Sequence, residues 1–200
     1  MANVDTPNGL KPVRYLDGSP YTGAHNLYLK PVGYGTALFI GDVVQYGSSA
    51  GTAALRVNGI DVEGMPDIIR YAVSSDMCGV IVGFYPDPDA LSTNHSPAST
   101  DAIVMVADSP DLIFEVQEDG EGATFAATDV GMNVDILAAL AGNTTTGQSY
   151  QELDSSVTAV TTTAGFRLIR LVPRPNNAIG QWARWEVAPV EHVANSRTGI

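Results

Sequence analysis

Apolar residues in this chain come in short runs separated by glycine, proline and acidic turns, and most runs have the length or two-residue period of a β-strand. Ala37-Leu38-Phe39-Ile40 leads through Gly41-Asp42 into Val43-Val44-Gln45-Tyr46, which predicts two successive strands. Ile68 to Val73 is a less regular strand, and Gly79 to Phe84 is a continuous apolar run of core-strand length. Ala102 to Ala107 and Leu112 to Val116 flank Asp108-Ser109-Pro110-Asp111, a strong turn signal, so these two are expected to pair. Phe166 to Val172 is β-branched and apolar and stops at Pro173. Trp182 to Val190 returns as a last strand after a longer hairpin connection through Pro175-Asn176-Asn177-Ala178-Ile179-Gly180.

Residues 130–140 admit two readings. Asn133 is a possible cap for a short helix Val134 to Leu140 ended by Gly142. Against this, Val130, Met132, Val134, Ile136 and Ala138 alternate with Gly131, Asn133 and Asp135, which favours a strand over 130–137. The following 142–147 stretch, Gly-Asn-Thr-Thr-Thr-Gly, is a loop. No stretch has the amphipathic period of a helix of useful length. Many short strands with Gly/Pro turns predict an all-β fold, a single barrel-like or sandwich domain with little helix, over residues 37–200.

Residues 1–36 are patterned differently. Pro7, Pro12, Pro20 and Pro31 recur among Gly9, Gly18, Gly23, Gly33 and Gly35, and proline removes donors and favours extended backbone. The segment also carries Leu10, Val13, Tyr15, Leu16, Tyr21, Leu27, Tyr28 and Leu29. That combination predicts an extended N-terminal arm lying along another surface, with Pro7, Leu10, Pro12, Val13, Tyr15, Tyr21 and Tyr28 as candidate contacts. The same segment also reads as an ordinary edge strand and loop of the domain. Trp182 and Trp185 are three apart, so on one strand they face opposite sides. One of them is a further candidate contact, unless it packs under a loop.

Charge changes the picture more than composition does. Hydrophobic residues make up 44% and charged residues only 16%, which excludes a disordered chain. The formal net charge is −12, which argues against nucleic acid and anionic membranes as partners. Its distribution is uneven: 14 Asp and Glu but no Lys or Arg lie between Tyr71 and Phe166, and five Arg against two Glu follow Ser155. That asymmetry separates a partner-facing side from a solvated one, or is simply an acidic solvated face.

Candidate chemistry is sparse. The histidines His25, His95 and His192 have no ligand-spaced neighbours, and there is no Gly-x-Ser-x-Gly elbow or phosphate loop. Asp87-Pro88-Asp89 and Glu118-Asp119-Gly120-Glu121 offer oxygens but lack calcium-loop spacing and read as turn chemistry. The single cysteine, Cys78, lies in an apolar run and is expected to be a buried small hydrophobe. No catalytic residue, cofactor or metal is therefore expected. Met1 to Asp5 lack a signal-peptide pattern and no apolar stretch is long enough to span a membrane, so a cytosolic origin is expected.

Several stretches, in order, carry a resemblance. They are residues 1–13 (Met1 to Val13), Val82-Gly83-Phe84 with Pro86-Asp87-Pro88-Asp89 and Leu91, Val106 to Asp111 with Phe114 to Asp119, Glu152-Leu153-Asp154-Ser155-Ser156, and Ile169 to Asn177. Together they resemble the capsid cement (decoration) proteins of tailed-phage heads, over nearly the whole chain except 47–66. The resemblance implies a non-enzymatic β-rich virion protein, made in the host cytoplasm and bound to the outer surface of the major capsid protein lattice. It also implies a homo-oligomer, with a trimer favoured. Another virion part (tail or connector), or a carbohydrate-binding host-surface adhesin, remains as the alternative.

Overall fold

A computed structural model describes residues 3–47, 56–159 and 164–195. The chain is all-β, and its strands form two large antiparallel sheets and one small hairpin. The strands are β1 (Lys11–Tyr15), β2 (Asn26–Lys30), β3 (Val43–Tyr46), β4 (Arg56–Val57), β5 (Ile60–Asp61), β6 (Ile68–Arg70), β7 (Gly79–Phe84), β8 (Ala102–Ala107), β9 (Leu112–Gln117), β10 (Asn133–Ile136), β11 (Leu153–Ala159), β12 (Phe166–Leu171) and β13 (Arg184–Pro189). One sheet has the order β1-β9-β13-β12-β10-β11 and the other β2-β8-β7-β3-β6, while β4 and β5 form the hairpin.

The two sheets face each other across one core. Leu112, Phe114 and Val116 of β9, Trp185 and Val187 of β13, and Phe166 and Leu168 of β12 point inward from the first sheet. Val43, Val80 and Ala107 meet them from the second. The two-residue period puts their alternates, Val44, Ile81 and Val106, on the opposite face of the five-stranded sheet. There they form a second core with Tyr28, Ile68, Cys78 and Val104, covered by Tyr34, Leu38 and Val193. The arrangement is a sandwich rather than a closed barrel. Gly79 permits the close pairing of β7 and β8, because a Cβ there would stand 2.4 Å from the Ala107 carbonyl oxygen.

Four expectations change or are narrowed. First, β8 and β9 do not pair: β8 joins β2 and β7, whereas β9 joins β1 and β13. The turn at 108–111 therefore carries the chain from one sheet to the other. Second, residues 37–40 make isolated bridges, Leu38 to Ser96 and Ile40 to Gln148, and no regular strand. Asp42, buried, explains this: its carboxylate accepts from the Phe39 N–H and from Ser149 Oγ, curling the backbone before β3. Third, the segment 130–137 is strand only over Asn133–Ile136, preceded by one 3₁₀ turn at Ala127–Asp129. Fourth, of the two readings of residues 1–36, β1 and β2 take the edge-strand form: β1 is the edge of the six-stranded sheet and β2 of the five-stranded one. Residues 48–55, within the region of weakest resemblance, lie outside the described residues.

Candidate functional site

The outward face of the six-stranded sheet carries the most distinctive chemistry. On β9 and β13 the register sets Glu115 directly opposite Glu186. Two carboxylates so placed repel one another. Four arginines from separate parts of the chain offset this. Glu186 accepts from Arg14 of β1 at 2.7 Å and from Arg170 of β12 at 2.8 Å. Glu115 accepts from Arg174 just beyond β12 and faces Arg184 of β13 at 3.6 Å. Burial pushes the Glu186 carboxyl up, but the hydrogen bonds from Arg170 and Arg14 outweigh it and hold it below its ordinary value.

Lys11 is the register partner of Glu115, and Arg167 is exposed opposite Ala188. Along β1, β9, β13 and β12 the face thus gathers six of the chain's ten Lys and Arg residues around Glu115 and Glu186, with Asp5 and Glu152 at its border on Gln117. The other four Lys and Arg residues are left with most of the chain's 22 Asp and Glu.

The first described residues form a strap along one border of this face. Asn3 donates to the backbone carbonyls of Ala178 and Gln181 and accepts from the Ala178 N–H. Arg184 donates to the Thr6 carbonyl at 2.8 Å and to Asn8 Oδ1 at 3.2 Å. Gln117 accepts from the Thr6 N–H and donates to Asp5 and Glu152. Between strap and hairpin turn lies a cleft of about 240 Å³, lined by Val4, Arg174, Asn176, Asn177 and Trp182 among others. Trp182 has φ +60°, a conformation that a bulky residue rarely adopts. Its indole lies over Gly120, where a Cβ would stand 2.8 Å from Nε1.

Under this border sit two carboxylates with raised pKa. Glu118 is fully buried and accepts from Trp185 Nε1 at 2.9 Å and from the Phe125 N–H. Burial pushes it up to about 7, against those hydrogen bonds. Burial, then the neighbouring Asp5 charge, pushes Glu152 up to about 7 as well. Trp185 also meets the Phe125 ring edge-on at 6.0 Å, so Glu118, Phe125 and Trp185 form one packed unit.

A cysteine, a histidine and an aspartate do converge elsewhere, at the second core. Cys78 and His192 are buried there, and Asp108 accepts from the Tyr28 hydroxyl at 2.7 Å. Burial pushes the Cys78 thiol up to about 12, which keeps it protonated and poorly nucleophilic. Among the described residues no three His, Cys, Asp or Glu side chains gather as a metal would require.

The chain matches no family model, no curated protein and no solved structure.

The candidate contact residues separate into two groups. Leu10, Tyr28 and Trp185 are buried core side chains, so none of the three is available to a partner as the chain is folded here. Their apolar bulk fills the sandwich, which is why an interface signal read from composition alone misplaces them. Pro7 and Pro12 are half-buried, and Tyr15 and Tyr21 pack on each other at 6.5 Å while covering the main core. Val13 is exposed at the bulge of β1. Trp182 is half-buried and precedes β13 rather than lying in it, so the opposite-face argument for the two tryptophans does not apply. The structure brings Trp182 and the strap together in one cleft. Sequence reading missed Arg14, Glu115, Arg170, Arg174, Arg184 and Glu186. Their signal was a charged residue at alternate positions of otherwise apolar strands.

Proposed function

We propose that this protein is a non-enzymatic capsid cement protein that seats on the outer surface of a tailed-phage major capsid lattice. Its place would be the virion surface, after synthesis in the host cytoplasm, and it would act as a homo-oligomer, with a trimer favoured. The sequence resemblance suggests the role. The single structural observation that supports it is the rigid sheet face with an excess of positive charge on an otherwise acidic chain. Such a face suits docking to a folded surface, and the strongly acidic remainder suits facing solvent on a particle. Cement acts by mass action: binding the assembled shell and not its free subunits stabilises the shell. Copy number per particle and heat resistance test this. Hundreds of copies, and heads that lose DNA at lower temperature without the chain, are the expected results. A dozen copies or fewer would place it in the tail or connector instead.

A second reading, a carbohydrate-binding adhesin, draws on the Trp182 cleft. An indole, a guanidinium (Arg174) and the amides of Asn176 and Asn177 line it. Glycan binding by the purified chain that is lost in Trp182→Ala, with head stability unchanged by deletion, would favour this reading over the first.

A further inference from the structure

The partner of the charged face can be narrowed from the register of its strands. Across β12, β13, β9 and β1 the partners Arg170, Glu186, Glu115 and Lys11 lie side by side in one row. The row reads positive, negative, negative, positive. Neighbouring strands are about 4.8 Å apart, so the two cationic ends stand roughly 14 Å apart.

The carboxylates at the centre of this lattice are already engaged. Both oxygens of Glu186 accept from arginine, and the Arg184 fork is engaged by Thr6 and Asn8. Arg14 and Arg184 are mostly covered, with side-chain exposures of 25% and 16%. Arg170 and Arg174 differ. Their side chains are 51% and 49% exposed, and each donates to one carboxylate among the described residues. A guanidinium has five N–H donors, so each keeps donors beyond the one engaged by its carboxylate.

We propose that this face docks a folded protein surface whose carboxylates are spaced to meet Arg170, Arg174 and Lys11, while Arg14 and Arg184 only position the lattice. The proposal rests on the cement reading and assigns its partner's chemistry: an acidic patch on the capsid lattice. The spare forks match carboxylates in a two-bond geometry. The chain's net charge of −12 repels a continuous polyanion such as duplex DNA. A folded surface, unlike a polyanion, can place neutral or basic groups over Glu115 and Glu186.

The test adds purified chain to heads from phage lacking it, at about 50 mM and 500 mM salt, where screening differs several-fold. Three forms are compared: wild type, R170Q/R174Q and R56E. The last two change the net charge equally, and Arg56 lies on β4, in the separate hairpin. Wild type and R56E should bind alike, and R170Q/R174Q should bind about tenfold or more weakly at low salt, with a smaller difference at high salt. Equal binding by all three overturns the proposal and leaves the cement role intact. Wild type that binds no heads overturns both. Self-association without heads, or binding of duplex DNA, that is lost in R170Q/R174Q assigns the face to another partner and overturns the proposal.

Discussion

The two sheets are built from similar strands but treat their second faces differently. The five-stranded sheet buries both faces within its own chain: Val43, Val80 and Ala107 on one side, and Val44, Ile81, Val104 and Val106 on the other. The six-stranded sheet buries one face and leaves the other as an arginine–glutamate lattice. A strand covered on both sides reads as a continuous apolar run, as Gly79 to Phe84 does. A strand covered on one side alternates, as Arg184-Trp185-Glu186-Val187 does. The difference shows which surface the chain does not seal for itself: the face it has furnished with charge.

Substitutions can break or sharpen this contrast. The largest effect is expected at the shared core. Trp185→Ala removes a fully buried indole and the donor to Glu118, and should cost about 4 kcal/mol or more in urea denaturation. Ile81→Ala in the second core should cost about 3 kcal/mol by the same measurement. If it costs little, the second apolar face is not part of the fold's stability and the contrast between sheets fails.

Glu186→Gln leaves Arg14 and Arg170 facing each other without their shared acceptor charge, and should cost about 2 kcal/mol. The same experiment on R170Q/R174Q should show less than about 1 kcal/mol, because both side chains are half exposed. A large loss there would make these arginines structural and remove them from the docking argument.

The pH dependence separates the ion-paired carboxylate from the two raised by burial, by sign. Glu118 and Glu152 have folded pKa values raised to about 7 from 4.5. Between those values the folded state holds protons that the unfolded state has released. Their contribution is therefore full below about pH 4.5 and is lost as pH rises through 7. Glu186 is lowered, so its contribution is present above 4.5 and is lost as pH falls through its folded value. Thermal melts of Glu118→Gln should show a weaker fall in Tm between pH 5 and 8 than wild type. Melts of Glu186→Gln should instead lose the decline on the acid side. An unchanged pH profile in Glu118→Gln would show that this carboxyl does not titrate in that window.

Strand positions were legible because the period of apolar residues is a local property. The Val43, Gly79, Ala102, Leu112, Phe166 and Trp182 segments all contain strands close to where their patterns place them. Residues 1–36 admitted both an arm and an edge-strand reading for a physical reason. Proline and glycine mark extended backbone but do not say what the extended backbone lies against, and here β1 and β2 lie on the edges of their own sheets. The candidate contacts followed the same logic. Leu10, Tyr28 and Trp185 were selected for being large and apolar, a property shared by interfaces and cores.

By itself, then, the sequence determined the all-β class, where most strands lie and the acidic balance, because each follows from local pattern or summed composition. Tertiary structure alone decided where each strand pairs. The turn Asp108-Ser109-Pro110-Asp111 suits a hairpin and a crossing between sheets equally well, and only packing chose the crossing. Likewise Arg14, Glu115, Arg170 and Glu186 are ordinary surface residues along the chain. They become one lattice because β1, β9, β13 and β12 are neighbours, and electrostatic interaction depends on distance in space rather than along the sequence.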